Sequence, residues 1–411
     1  MKIRSITFFC NPHWPLDDNS ITQAGNFVGA ARQAFANAGY EVQTARLATV
    51  PFPELVPSLV VDKVVEFAQQ LERAAVLLGF DYIAIGPAQP DDLRAYALIP
   101  EVLAATENIF ASALMSSPQV GVSLPAVRAC AEIIERLAPQ DPNGFANLYF
   151  AALANVPPGA PFFPAAYHVG DAPAFALALE SADLAVEAFS QAANLADARQ
   201  NLISAIEIHA QNLTQVAKNL AIFQPANIPT PVFGGIDFSL APYPEEALSL
   251  GTAFERLGVP AVGLHGSLAA AAIIADTIDK AKFARAGFSG LMLPVLEDFT
   301  LAARAEQGVL TLKDMLLYSA VCGTGLDTIP LPGDTTAAQL APVLLDLAAL
   351  AQRLNKPLTA RLMPIPGKHA GDVTSFDFPF FANSRVMALD AAPLESHLAG
   401  DDAFFLNARK A

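Results

Sequence analysis

The chain has 411 residues, 53% of them apolar, enough to bury a large core in one big α/β domain or in two or three smaller ones. Forty acids against 24 bases give a formal charge of −16, which repels nucleic acid phosphates and anionic membrane surfaces. No stretch reaches the roughly 18 uninterrupted apolar residues of a membrane span, and the opening MKIRSITFFCN carries too short an apolar run for a signal peptide, so a cytoplasmic protein is expected.

Short apolar runs alternate with stretches of helical period, the pattern of an α/β protein. In chain order the first predicted strands are Ile3 to Phe9, Glu41 to Leu47, Tyr82 to Ile85, Gln119 to Ser123 and Phe145 to Phe150. Helical stretches such as Ala24 to Ala38 and Val61 to Leu78 lie between them. The Pro-rich stretch NVPPGAPFFPAAYHVGDAP follows, and then a predicted helical region from Ala174 to Phe223. There Leu202, Ile206, His209, Leu213, Val216, Leu220 and Phe223 recur at steps of four and three, an apolar stripe broken only by the histidine. The remaining predicted strands are Val232 to Leu240, Ala261 to Leu264, Gly290 to Val295, Asp327 to Leu331 and Thr359 to Pro364.

Five strands on each side of a helical connection suggest two halves, about 1–150 and 232–411, joined through 151–231. The Pro-rich stretch is too aromatic for a flexible tether, so one domain over 1–411 is expected. Six apolar or aromatic side chains in APFFPAAY would otherwise sit in water, so Asn155 to His168 is expected to run into or across the mouth of the fold, with Phe162 and Phe163 buried. A mean hydropathy of +0.37 without a membrane span suggests apolar surface that a homodimer would cover.

Functional residues of α/β folds gather where strands run into loops. The sixth predicted strand contains Asp237 and Ser239, and the eighth leads into Glu297 and Asp298. The ninth ends in Pro332-Gly333-Asp334-Thr335, and the tenth runs into PIPGKHAGD with Lys368, His369 and Asp372. Asp334 and Asp372 each follow a glycine, and with Glu297 or Asp298 they could offer oxygens to a hard cation such as Mg²⁺ or Ca²⁺. Asp334 serves equally well as the cap of the helix predicted after it. Arg361 lies inside an apolar strand, where an unpaired guanidinium is costly, so it must meet a carboxylate or an anionic ligand. Lys368 is a candidate anion anchor or a solvated lysine. His168 and His13 are candidate proton-transfer groups or structural histidines.

Cys10, Cys130 and Cys322 are scattered, without the spacing of a metal site or a disulfide framework. Cys322 precedes the ninth strand and Asp334 follows it, about 20 Å apart if that strand is extended. They are expected not to share a site. No GxSxG, HExxH, GxGxxG or P-loop motif occurs.

The segments GFANLYFAALANVPPGAPFFPAAYH, GIDFSLAP, LPVLEDFTLAA, AVCGTGLDTIPLPGDT and RLMPIPGKHAGD, in this order, resemble the uncharacterised family known as domain of unknown function 711 over residues 1 to about 387. The resemblance implies a ten-stranded α/β barrel of two five-stranded halves, similar to that of pyruvate formate-lyase and ribonucleotide reductase. Those relatives carry a cysteine on a loop that enters the barrel, but here the corresponding ANVPPGAPFFPAAYH has none. A glycyl-radical consensus is also missing, which disfavours radical chemistry unless Cys322 enters the barrel. After GKHAGD the family pattern is glycine-rich, whereas this chain has SFDFPFF.

The expected function is an enzyme acting on a small anionic molecule at the barrel mouth, with Arg361, Lys368, Asp237 and Ser239 as binding residues. The alternative is a sensor that binds the same molecule without turnover.

Overall fold

The computed structural model describes residues 1–222 and 230–408. Eleven strands belong to one sheet: β1 (Lys2–Cys10), β2 (Val42–Thr49), β3 (Tyr82–Ala88), β4 (Ile109–Ser117), β5 (Gly121–Ser123), β6 (Phe150–Ala154), β7 (Ala174–Glu180), β8 (Val232–Ala241), β9 (Gly325–Pro332), β10 (Leu358–Ile365) and β11 (Ala403–Phe404). The main path runs β8-β7-β1-β2-β3-β4-β6-β10-β9, with the short β5 and β11 off its side. β1, β2, β3, β4 and β6 are mutually parallel. The pairs β7–β8 and β9–β10 are each internally parallel and join that set antiparallel, at β7–β1 and β10–β6. Residues 284–295 reach both ends of this path. Ala286 and Met292 donate backbone N–H groups to Ile236 and Ser239 of β8, and Val295 donates to Asp327 of β9.

Alternation along the strands divides two environments. Ile6, Phe8 and Cys10 of β1, Leu47 of β2 and Ile236, Phe238 and Leu240 of β8 pack into a large apolar core with the helices. Among those helices, Asp18–Asn37 is opened by the side chain of Asp17, which accepts from Asn19 N, and Ala337–Leu354 by a Thr336–Gln339 capping box. The other face carries small residues such as Ala48, Ala84, Ala151 and Ala176, which leave room for Phe162 and Phe163 from the loop after β6. Both phenylalanines are buried, as is His168 at the loop's end, so this stretch meets the burial expected of it.

Several expected elements differ. Ala174–Glu180 is β7 rather than helix: AFALALE has the composition of a helix, but pairing with β1 on one side and β8 on the other decides the matter. β4, an Ala- and Ser-rich apolar run, was not foreseen, and the strand expected at Gln119 shrinks to the three residues of β5. Phe145–Tyr149 is a 3₁₀ turn that ends where β6 begins. Ala261 to Leu264 is a turn with a single bridge, and Gly290 to Val295, interrupted by Pro294, makes isolated backbone contacts rather than a strand. Leu202, Ile206, Leu213 and Leu220 of the predicted stripe are buried on the helix Leu195–Ile222, where His209 Nδ1 lies 3.1 Å from the Tyr40 hydroxyl. Phe223 lies outside the described residues.

Candidate functional site

Two bulges aim charged side chains into the face lined by small residues. On β1 the pairing with β7 shifts between Ile3 and Ser5, so Arg4 is an extra residue and turns inward together with Ser5. On β9, Asp327 and Thr328 together oppose the single residue Arg361 of β10, and Thr328 takes a left-handed backbone with φ of 43°. The extra residue sets the Asp327 carboxylate against the Arg361 guanidinium, to which it is ion-paired through Nε.

Glu297 completes a buried network. One carboxylate oxygen accepts from Arg361 Nη2 at 2.8 Å, and the other is paired with Arg4. Burial alone would raise the Glu297 pKa, but the two guanidiniums outweigh it and hold it below the usual carboxylate range. Asp327 is pushed up by burial against the pull of Arg361, and its Oδ2 has no hydrogen-bond partner.

Arg46, on β2, is placed differently. Among the described residues its guanidinium makes one hydrogen bond, Nε to Thr44 Oγ1 at 3.0 Å, and pairs with no carboxylate. It lies over two rings, 5.1 Å from the centroid of Phe163 and 5.7 Å from that of Tyr82. Burial and the neighbouring Arg4 pull its pKa down to about 9, so it still carries its charge at neutral pH.

Arg4, Arg46, Arg361 and Glu297 line one pocket, a cavity of about 90 Å³ that opens to solvent. Asp237 and Ser239 of β8 line the same pocket. Phe288 and Ser289 each donate a backbone N–H to Asp237 at 3.0 Å, and the Ser239 hydroxyl also donates to it. Gly287, at φ of 61°, permits this cradle, because a Cβ there would lie 2.1 Å from Asp237 Oδ2. Burial raises the Asp237 pKa against these hydrogen bonds. On the far side Ser5 and Thr7 hydroxyls reach the Pro161 carbonyl, which ties the loop bearing Phe162 and Phe163 to β1.

Of the expected site residues, Arg361, Asp237, Ser239 and Glu297 come together here. Asp298 does not join them: its carboxylate caps the helix Phe299–Glu306, accepting from Thr300 N, Leu301 N, Gly251 N and the Ser249 hydroxyl. Asp334 and Asp372 are exposed, and Asp372 accepts from His369 N at 2.7 Å. Among the described residues no three His, Cys, Asp or Glu side chains are grouped as a metal site; of the carboxylates named for Mg²⁺ or Ca²⁺, Glu297 lines the pocket, Asp298 caps a helix, and Asp334 and Asp372 are exposed. Lys368 is half-buried outside the pocket lining, with its carbonyl accepting from Gly333 N at 2.9 Å. His13 is exposed. His168 is buried against Phe9, with its Nε2 unpartnered, and does not line the pocket.

All three cysteines are buried thiols, and burial pushes Cys10 up to about 12. Cys322 lies before β9 and Asp334 after it, the first buried and the second exposed. Gly323 packs on Gly290 so closely that an added Cβ would come 2.9 Å from its Cα, which accounts for one glycine of the CGTG segment.

Arg4, Arg46 and Asp327 were missed. The signal was available, because each is a charge inside an apolar run, RSITFF, ARLAT and GLDTIPL, the same argument that singled out Arg361.

The family described as uncharacterised ACR, DUF711, matches residues 1–383. The chain belongs to this family. A UPF0210 protein of Neisseria meningitidis serogroup C is 31% identical over 372 residues, covering 87% of this chain and 82% of the relative. One from Pyrobaculum islandicum is 33% identical, covering 84% and 78%, and one from Actinobacillus succinogenes is 30% identical, covering 87% and 81%. No helix among the described residues is long and apolar enough to cross a membrane.

Proposed function

We propose that the pocket binds a small organic anion through Arg46 and acts on it with Asp237 as the proton-transfer group. The observation that carries this reading is the unpaired Arg46 guanidinium. Arg4 and Arg361 are committed to Glu297 and Asp327, whereas Arg46 has N–H donors at the pocket that meet no partner and no counter-charge among the described residues. A partly desolvated cation of this kind is satisfied when a carboxylate or phosphate arrives. Asp237 lines the same space with a raised pKa and a serine hydroxyl attached, a combination suited to giving or taking a proton.

The alternative is a binding protein without turnover, supported by a pocket lining that holds no histidine or thiol among the described residues. We also infer that residues 284–295 close the sheet between β8 and β9 into a barrel, with the pocket at its interior. The hydrogen bonds of that segment to both terminal strands support this closure.

The test uses calorimetric titration of the purified chain with acetate and inorganic phosphate. Arg46→Met is expected to weaken binding about 10- to 100-fold, the worth of a charged hydrogen bond. Unchanged affinity would remove the reading. Incubation with a metabolite extract, followed by mass spectrometry, separates the two alternatives. Consumption of an anion that Asp237→Asn abolishes supports the enzyme, and binding without consumption supports the sensor.

A further inference from the structure

We infer that the anion taken by this pocket carries an aromatic or similarly flat apolar group, seated against a wall that Phe378 and Phe380 complete. The inference rests on the anion reading above and adds the chemical class of the ligand.

The Arg46 guanidinium carbon lies 5.7 and 5.1 Å from the ring centroids of Tyr82 and Phe163, so an anion that takes its N–H groups comes in beside these rings. An anion held there has its substituent alongside the same rings. Phe110 extends the wall, 5.2 Å from Tyr82 and 5.5 Å from Phe163 between centroids, both edge-on. A purely hydrophilic anion would leave this apolar surface in contact with water.

The remaining side comes from SFDFPFF. Phe381 is buried and anchors the segment, with Phe378 5.2 Å away. Phe378 and Phe380 line the pocket yet are only half-buried, with their centroids 5.3 Å apart. Half-covered rings at the edge of an anion site offer apolar surface that a ligand ring would cover, at about 25 cal/mol per Å². Phe378 and Phe380 are therefore the specificity-determining residues of this pocket.

The test compares acetate with phenylacetate and inorganic phosphate with phenyl phosphate by calorimetry. The phenyl member of each pair is expected to bind at least tenfold tighter, and whichever pair binds identifies the anionic group. Phe380→Ala, the less tightly packed of the two, is expected to remove most of that gain, read as the affinity ratio between the phenyl and the simple member of the pair that binds. Phe378→Leu serves as a second variant that keeps bulk in the anchor cluster, and it is expected to lose part of the gain. Equal affinity for phenyl and simple anions, or a preference that survives both substitutions, would overturn the inference while leaving the anion site intact. Binding of none of the four would instead remove the reading on which it rests.

Discussion

Glu297 and Asp298 are consecutive, both buried, and belong to different regions of the molecule. Glu297 faces two guanidiniums at the pocket wall, and its pKa is held down. Asp298 turns the other way and meets only N–H groups and one hydroxyl, and burial raises its pKa. The difference shows what ionises a buried carboxylate: hydrogen bonds from neutral donors offset burial less than full opposite charges do.

Breaking the first region should have the largest effect. Glu297→Gln leaves Arg4 and Arg361 short of a counter-charge in a buried site, and stability is expected to fall by about 3–5 kcal/mol. Urea unfolding measures it, and a loss under about 1 kcal/mol would mean that water, rather than Glu297, satisfies the two arginines. The pH dependence sharpens the point. A carboxylate with a folded pKa below its ordinary 4.5 stabilises fully above that value and loses its contribution as pH falls through the folded value. The acid limb of the stability curve should therefore flatten in Glu297→Gln.

The second region should respond with the opposite pH sign and a smaller magnitude. Asp298→Ala removes a cap and leaves the Ser249 hydroxyl and Gly251 N–H without their partner, which is expected to cost about 2–3 kcal/mol. With its folded pKa above 3.8, ionised Asp298 costs stability as pH rises from 3.8 through the folded value. Asp298→Asn should remove that decline. If its curve ran parallel to that of the parent protein between pH 4 and 6, the cap would ionise without strain.

The two regions also differ in how far the sequence announces them. Asp298, directly after a predicted strand, reads in the sequence as a cation ligand, and its role as the cap of Phe299–Glu306 comes only from the structure. The Arg361 partnership was legible because a charge within LTARLMPI has to be neutralised. Asp327 is marked by the same rule, but that it is the partner was not legible, because the bulge that turns it inward depends on pairing β9 with β10, a contact 34 residues away in the chain. β7 was hidden for a related reason, since its Ala and Leu residues suit a helix until β1 and β8 are placed beside it. Composition and period identify an α/β chain, but register and bulges, which place the side chains, arise only from long-range pairing.

Arg46 is the counterpart of Glu297, a charge whose partner is missing. Arg46→Met replaces an uncompensated cation by an apolar chain of similar length among aromatic rings. Without ligand, thermal or urea unfolding is expected to show a gain of about 1 kcal/mol. A loss of that size would mean that stacking on Tyr82 and Phe163 outweighs the desolvated charge.

The smallest effect is expected at the two Gly-Asp turns. Asp334 is exposed, and Asp372 makes a single exposed contact to His369 N. What joins the turns is backbone, Gly333 N to the Lys368 carbonyl at 2.9 Å. Asp334→Asn and Asp372→Asn should each change stability by less than about 0.5 kcal/mol and leave acetate affinity untouched. Mg²⁺ or Ca²⁺ at millimolar concentration should likewise leave the melting temperature in place, because two solvated carboxylates with no third ligand beside them pay too much of a hard cation's dehydration. A rise in melting temperature with either ion, abolished by either substitution, would show that the turns come together around a cation. It would add a cation site at the turns, outside the pocket that the arginines, Glu297 and Asp237 line.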